Sequence, residues 1–131
     1  MPEEQSLAIA VAQFAPGTDK AGTLATIHAL AGRAKHRGAR LVVFPEYSSF
    51  FAPQLGAPSV AAAEALDGPF VAGLAAIARE LGLHLVAGMS EATTDNSRFS
   101  NTLVAVSPAG EMVAKYRKMH LYDAFGQRES D

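Results

Sequence analysis

The stretch Leu41-Val42-Val43-Phe44-Pro45-Glu46-Tyr47 decides the fold class. Leu41 to Phe44 is a short apolar run stopped by Pro45, which reads as a strand. Upstream, Leu7 to Phe14 is a nearly continuous apolar run ending at Ala15-Pro16-Gly17, and reads as a first strand buried on both faces. Between them, Leu24, Ile27, Ala31 and Ala34 share one helical face, with Thr18 or Asp19 as N-cap and Gly38 where a left-handed C-terminal cap is wanted. Strand, helix, strand in this order implies a parallel crossover, so the chain is α/β.

Working onward, Tyr47 to about Ser59 is rich in Pro, Gly, Ser and aromatic residues and reads as a loop, with Val60 to Leu66 as a short helix. Asp67-Gly68-Pro69 supplies a cap and an N-terminal proline for a helix over 69–81, on which Phe70, Leu74, Ile77 and Leu81 line one face before Gly82. Leu83 to Met89 and Phe99 to Val106 are two further strands, separated by the polar loop Thr93 to Arg98. Ser107-Pro108-Ala109-Gly110 is a tight turn that returns Glu111 to Lys118 as an antiparallel fifth strand. No repeat or linker divides the 131 residues.

Composition narrows the function classes. Hydrophobic residues are 49% and charged residues 18%, which describes a chain with a core. The net charge of -2 gives no general attraction to nucleic acid or anionic lipid. With no cysteine there is neither a disulfide framework nor a thiolate metal site. The acidic start lacks a secretory signal and no apolar run spans a bilayer, so a soluble, cytoplasmic protein is expected, without nucleic-acid or membrane partners.

Glu46 follows a buried strand at its carboxyl end, where open α/β sheets present ligands; a partly desolvated carboxylate there suits general-base work. Taken alone it reads more simply as a loop acid or a helix-cap partner. Lys118 ends the fifth strand, where alternation sets Tyr116, Lys118 and His120 on one face and Arg117, Met119 and Leu121 on the other. In a dry pocket Lys118 would stabilise a developing oxyanion; on its own it is a basic strand end reaching water. Glu129 is a second acid able to orient the lysine or a substrate amide. Tyr47, Phe50 and Phe51 are pocket wall or loop anchor, and Asn101-Thr102 makes a structural hydrogen bond to a neighbouring loop. His28 and His36 are surface residues. His120 and Asp123 shape a loop, and no metal is assigned. Ser48 and Ser49 lie in a flexible-looking loop with no histidine partner, so neither is a nucleophile.

Four segments in order, Ala10-Val11-Ala12-Gln13-Phe14, Leu41 to Tyr47, Ser100-Asn101-Thr102 and Tyr116 to Asp123, resemble the nitrilase superfamily of carbon-nitrogen hydrolases. The resemblance covers essentially all 131 residues, corresponding to the N-terminal half of the family's four-layer αββα sandwich. It implies Glu46 as general base, Lys118 as oxyanion stabiliser, Glu129 as auxiliary acid and Tyr47 as a substrate contact. The family's nucleophile is a cysteine further along the chain, so residues 1–131 are expected to be a partial domain truncated before it. By itself that piece should be inactive and, with sheet edges and apolar surface uncovered, poorly soluble. The implied substrate is a small amide, with no metal or organic cofactor, and the full-length protein is expected to be a homo-oligomer. The stretch Tyr122 to Gly126 looks most like the omega-amidase and deaminated-glutathione-amidase branch. Two other readings stand beside this one: a noncatalytic binding or regulatory module of the same fold, and a metal-dependent hydrolase built from Glu46, His120 and Asp123.

Overall fold

The computed structural model describes residues 4–121, 123–124 and 127–130. Five strands form one sheet in chain order: β1 (Ile9–Val11), β2 (Leu41–Val43), β3 (His84–Ala92), β4 (Phe99–Val106) and β5 (Met112–Arg117). The first three are parallel, and β4 and β5 return antiparallel. Helices α1 (Lys20–His36) and α3 (Pro69–Leu81) pack together and cover one face of this sheet; α2 (Ala57–Ala62) is a short helix between them in sequence. Two antiparallel strands of two residues each, β6 (Asp123–Ala124) and β7 (Gln127–Arg128), follow. One helical layer on one sheet is half of the expected four layers.

Alternation along the long strands sorts the residues by face. Leu85, Ala87 and Met89 of β3 and Thr102, Val104 and Val106 of β4 are buried beneath the helices, with Ile27, Ala31, Phe70 and Leu74 opposite them. Gly88, Ser90, Asn101 and Leu103 take the other face. That second face is where the candidate site lies.

Both long helices start as expected in place, but only one in chemistry. Asp19 caps α1, accepting from the Gly22 N–H at 3.1 Å. For α3 the cap residue is Gly68 with no side-chain bond of its own, and Asp67 does not serve. Glu64 does: its Oε1 accepts from the Phe70 N–H at 2.7 Å while its Oε2 holds Lys20 Nζ at 2.7 Å, tying α1 to the start of α3. This arrangement also explains why α2 lies at 57–62 rather than 60–66. Glu64 leaves the helix to pair with β3, donating to the Ser90 carbonyl at 3.0 Å and accepting from Ala92 at 2.8 Å. β3 in turn runs on to Ala92 because Phe99 continues the ladder opposite it.

β1 differs most from expectation. It is three residues long, and Leu7, Ile9 and Val11 are 54%, 57% and 76% exposed. β1 is an edge strand with helices on one side only, so Ala10 packs on the core while its neighbours face outward.

Candidate functional site

Glu46 is placed by a close approach of two backbones. β2 ends at Val43, Phe44 N–H still bonds Val86, and after Pro45 the chain turns across β3 at Gly88. A Cβ on Gly88 would lie 2.8 Å from Glu46 Cα and 2.8 Å from Tyr47 N, so only glycine admits the turn. Gly88 N–H donates to the Pro45 carbonyl at 3.2 Å and its own carbonyl accepts from Ser49 at 3.3 Å. Tyr47 pays for the turn with φ of +56°, a left-handed conformation costly for a bulky side chain. Its ring is buried against Phe51 and Phe99, with centroids 5.9 and 6.4 Å away. The two serines that follow are not loose: Ser48 and Ser49 are buried, Ser48 bonded to the Pro45 carbonyl and Ser49 Oγ accepting from Ser90 N–H.

Lys118 continues β5 by one further ladder bond, its N–H donating to the Asn101 carbonyl at 2.9 Å. Its ammonium meets both acids singled out in the sequence, Glu46 Oε1 at 3.1 Å and Glu129 Oε2 at 2.9 Å. Asn101 Nδ2 donates to Glu46 Oε1 at 2.6 Å and to Glu129 Oε1 at 2.7 Å, and the Tyr47 hydroxyl donates to Glu129 Oε1 at 2.7 Å. Four residues read from the sequence, Glu46, Tyr47, Lys118 and Glu129, are thus one hydrogen-bonded group. Asn101, read as a loop anchor, stands at its centre.

The two acids differ in burial. The Glu46 side chain is 54% exposed, Lys118 29% and Glu129 3%. The Glu46 carboxylate stays largely in water, while Glu129 is enclosed with Lys118, Asn101 and Tyr47 as donors. Burial pulls the Lys118 ammonium down, but the hydrogen bonds to Glu129 and Glu46 outweigh it and hold the amine above its usual range. Burial first, then the hydrogen bond to Glu129 and the charges of both acids, push the Tyr47 phenol well above its ordinary value, so it stays a donor. Beside the group a cavity of about 220 Å³ is bordered by Glu46, Gly88, Asn101, Leu103, Tyr116 and Lys118.

On the helical side of the same strands the sequence reading passed over a second ion pair. Glu91, 7% exposed at its side chain, accepts from Arg117 Nε at 2.8 Å and Nη2 at 2.7 Å, and from Thr102 Oγ1 at 2.8 Å. The Arg117 bonds hold its carboxyl below the usual carboxylate range against the opposing effect of burial. Arg117 and Lys118 therefore do point to opposite faces, as alternation predicts.

Of the proposed metal set, Glu46 is committed to Asn101 and Lys118, His120 is exposed, and the Asp123 side chain lies outside the described residues. Among the described residues no three His, Asp or Glu side chains converge. His28 is exposed and bonds Glu80 at 2.9 Å, and His36 is exposed. Tyr122, Phe125 and Gly126, on which the choice of branch rested, also lie outside the described residues.

Known proteins resemble this chain in sequence and in fold. The model of the carbon-nitrogen hydrolase family matches residues 8–131. A hydrolase of Mycobacterium tuberculosis is 45% identical over 124 residues, 93% of this chain and 43% of that protein. An omega-amidase of Xenopus laevis is 29% identical over 120 residues, 88% of this chain and 41% of its own length. An amidase of Nesterenkonia sp. AN1, solved in complex with acrylamide, superposes with a TM-score of 0.73 at 26% identity, over 95% of this chain and 47% of that one. The same amidase in complex with butyramide gives 0.73 at 27%, over 94% and 47%. The chain spans less than half the length of these relatives. With a family match that begins at Ala8 and takes in every residue of the hydrogen-bonded group, the chain belongs to the carbon-nitrogen hydrolase family.

Proposed function

We propose that this chain supplies the base, the cation and the auxiliary acid of an amidase-type carbon-nitrogen hydrolase, and that the nucleophilic thiol comes from residues outside it. The observation that carries the reading is the Lys118 ammonium held between Glu46 and Glu129 at 3.1 and 2.9 Å, beside a cavity. Among the described residues both contacts of Glu46 fall on Oε1, so Oε2 is available to accept a proton. Glu46 takes the thiol proton as sulfur bonds to the amide carbon, Lys118 stabilises the oxyanion, and as the C–N bond breaks Glu46 returns that proton to the departing ammonia or amine, leaving a thioester. Water, losing a proton to Glu46, then attacks the thioester; the C–S bond breaks, the acid is released and Glu46 passes the proton back to sulfur. Glu129, saturated by Lys118, Asn101 and Tyr47, holds the cation rather than moving protons. Tyr47 serves the substrate through Glu129.

The substrate is a small amide. Support comes from the small volume of the cavity and from the Nesterenkonia amidase, whose structures hold acrylamide and butyramide and, in one case, an acrylamide adduct at its active-site cysteine. An omega-amidase type of specificity is supported by the similarity to the Xenopus enzyme. A homo-oligomer working in the cytoplasm completes the reading. The net charge of -2 supports the absence of nucleic-acid and lipid partners, and no helix among the described residues is long and apolar enough to cross a membrane.

The test is ammonia release from a panel of short primary amides by the thiol-bearing form of the protein. Lys118→Met should lower kcat by about 10²–10³-fold, the cost of losing one oxyanion donor, and Glu46→Gln should abolish turnover. Wild-type rates in Glu46→Gln, or loss of turnover on chelation with recovery on adding metal, would refute the assignment.

A further inference from the structure

Two carboxylates around one ammonium repel each other. Glu46 sits on a turn with its side chain largely in water, and Glu129 lies beyond β7 in a turn of its own. Besides Lys118 itself, Asn101 bonds both. It sits on β4, paired on one side with Ser90 of β3, and is itself 8% exposed. Its Nδ2 carries two N–H bonds, and each takes one carboxylate, at 2.6 Å to Glu46 and 2.7 Å to Glu129. With an acidic oxygen on each side, only the NH2 end of the amide fits this position. Its backbone carbonyl, on the same residue, receives the Lys118 N–H at 2.9 Å.

We propose that Asn101 is a positioning residue that sets the spacing of Glu46 and Glu129 and registers both against Lys118. Charge explains the residue type. A lysine or arginine would bring a second cation that competes with Lys118 for the same oxygens, whereas an aspartate would set a third acid within contact of two others. A neutral donor with two N–H bonds satisfies both acids and leaves the ammonium as the only full positive charge in the group. The bridge itself is a matter of geometry; its catalytic consequence rests on the amidase reading.

Two variants and two measurements test it. In the thiol-bearing form, Asn101→Leu removes the donors and Asn101→Asp replaces them with a charge. Two carboxylates in contact, against the single opposing charge of Lys118, raise the folded-state pKa of the new aspartate above its unfolded value of about 3.9, so the penalty is full at high pH and disappears as the group takes up its proton. Asn101→Asp should therefore melt about 5 °C below Asn101→Leu at pH 8, and the gap should close by pH 4. A defect of packing alone would give parallel curves. In the thiol-bearing form, Asn101→Leu should lower kcat by about 10–100-fold with KM nearly unchanged, as expected for a misplaced base and cation. Parallel stability curves, or a wild-type kcat in Asn101→Leu, would overturn the proposal. If the wild-type thiol-bearing form turned over no amide, the amidase reading would fall, while the pH dependence of melting would still decide whether Asn101 bridges the two acids.

Discussion

Substituting Gly88 by alanine tests how the base is placed. The new Cβ would stand 2.8 Å from Glu46 Cα, 2.8 Å from Tyr47 N and 3.1 Å from the Glu46 carbonyl carbon. Carbon atoms rest at about 3.5–4.0 Å, so the turn must retreat by roughly 0.7 Å or more. The obstructing atoms are backbone, pinned by the Pro45 and Ser49 hydrogen bonds to Gly88, so no rotamer change relieves the clash. A shift of that size lengthens the 2.6 Å bond from Asn101 to Glu46 to about 3.3 Å, which weakens it, and moves the base relative to the cation. Overpacking of this kind costs about 1–3 kcal/mol. Misplacing a reacting group by about 1 Å costs about 10²-fold in rate. Urea denaturation of Gly88→Ala should show that loss, and kcat of the thiol-bearing form should fall by one to two orders of magnitude. A variant with both unchanged stability and unchanged kcat would show that the close approach does not position Glu46.

Two other predictions concern parts of the fold away from the site. Glu91 has its carboxyl held below the unfolded range by Arg117, so the pair stabilises the fold above the unfolded glutamate pKa of about 4.3 and the contribution is lost as pH falls through the lower folded value. Glu91→Gln should melt lower than wild type at pH 7, with the two converging on acidification; a constant difference would refute this. Glu64→Ala removes the cap on Phe70 N–H and the bond to Lys20, and should cost about 0.5–2 kcal/mol in chemical denaturation. No loss there, with a comparable loss in Asp67→Ala, would return the cap to Asp67.

Local signals were legible where the chain alone decides the outcome. α3 begins at Pro69 and ends before Gly82, which adopts the left-handed cap at φ of +66°, and β4 occupies the apolar run 99–106 between turn residues. Exposure was not legible, because it depends on what covers a residue. Leu7, Ile9 and Val11 read as core but lie on an edge strand with helices on one side, and Glu46, expected to be partly desolvated, is 54% exposed. The motif residues Glu46, Tyr47, Lys118 and Glu129 were found in sequence because a family pattern joins them. Asn101 was quoted in that pattern yet given no part in the site, since its role appears only once β4 sets it beside Lys118 and the two acids. Glu91 and Arg117 were missed because 26 positions of chain separate two residues that only the β3–β4–β5 register brings together.

Neighbouring residues on β5 bind in opposite directions, Arg117 into the acid beneath the helices and Lys118 into the acids of the cavity. A peptide gripped from above and below has little freedom to tilt, so the ammonium is aimed partly by a contact it never touches. Loosening the buried side would blur the cation's position without altering any group in the cavity. Changes at the Glu91–Arg117 pair would then be felt at the Lys118 ammonium.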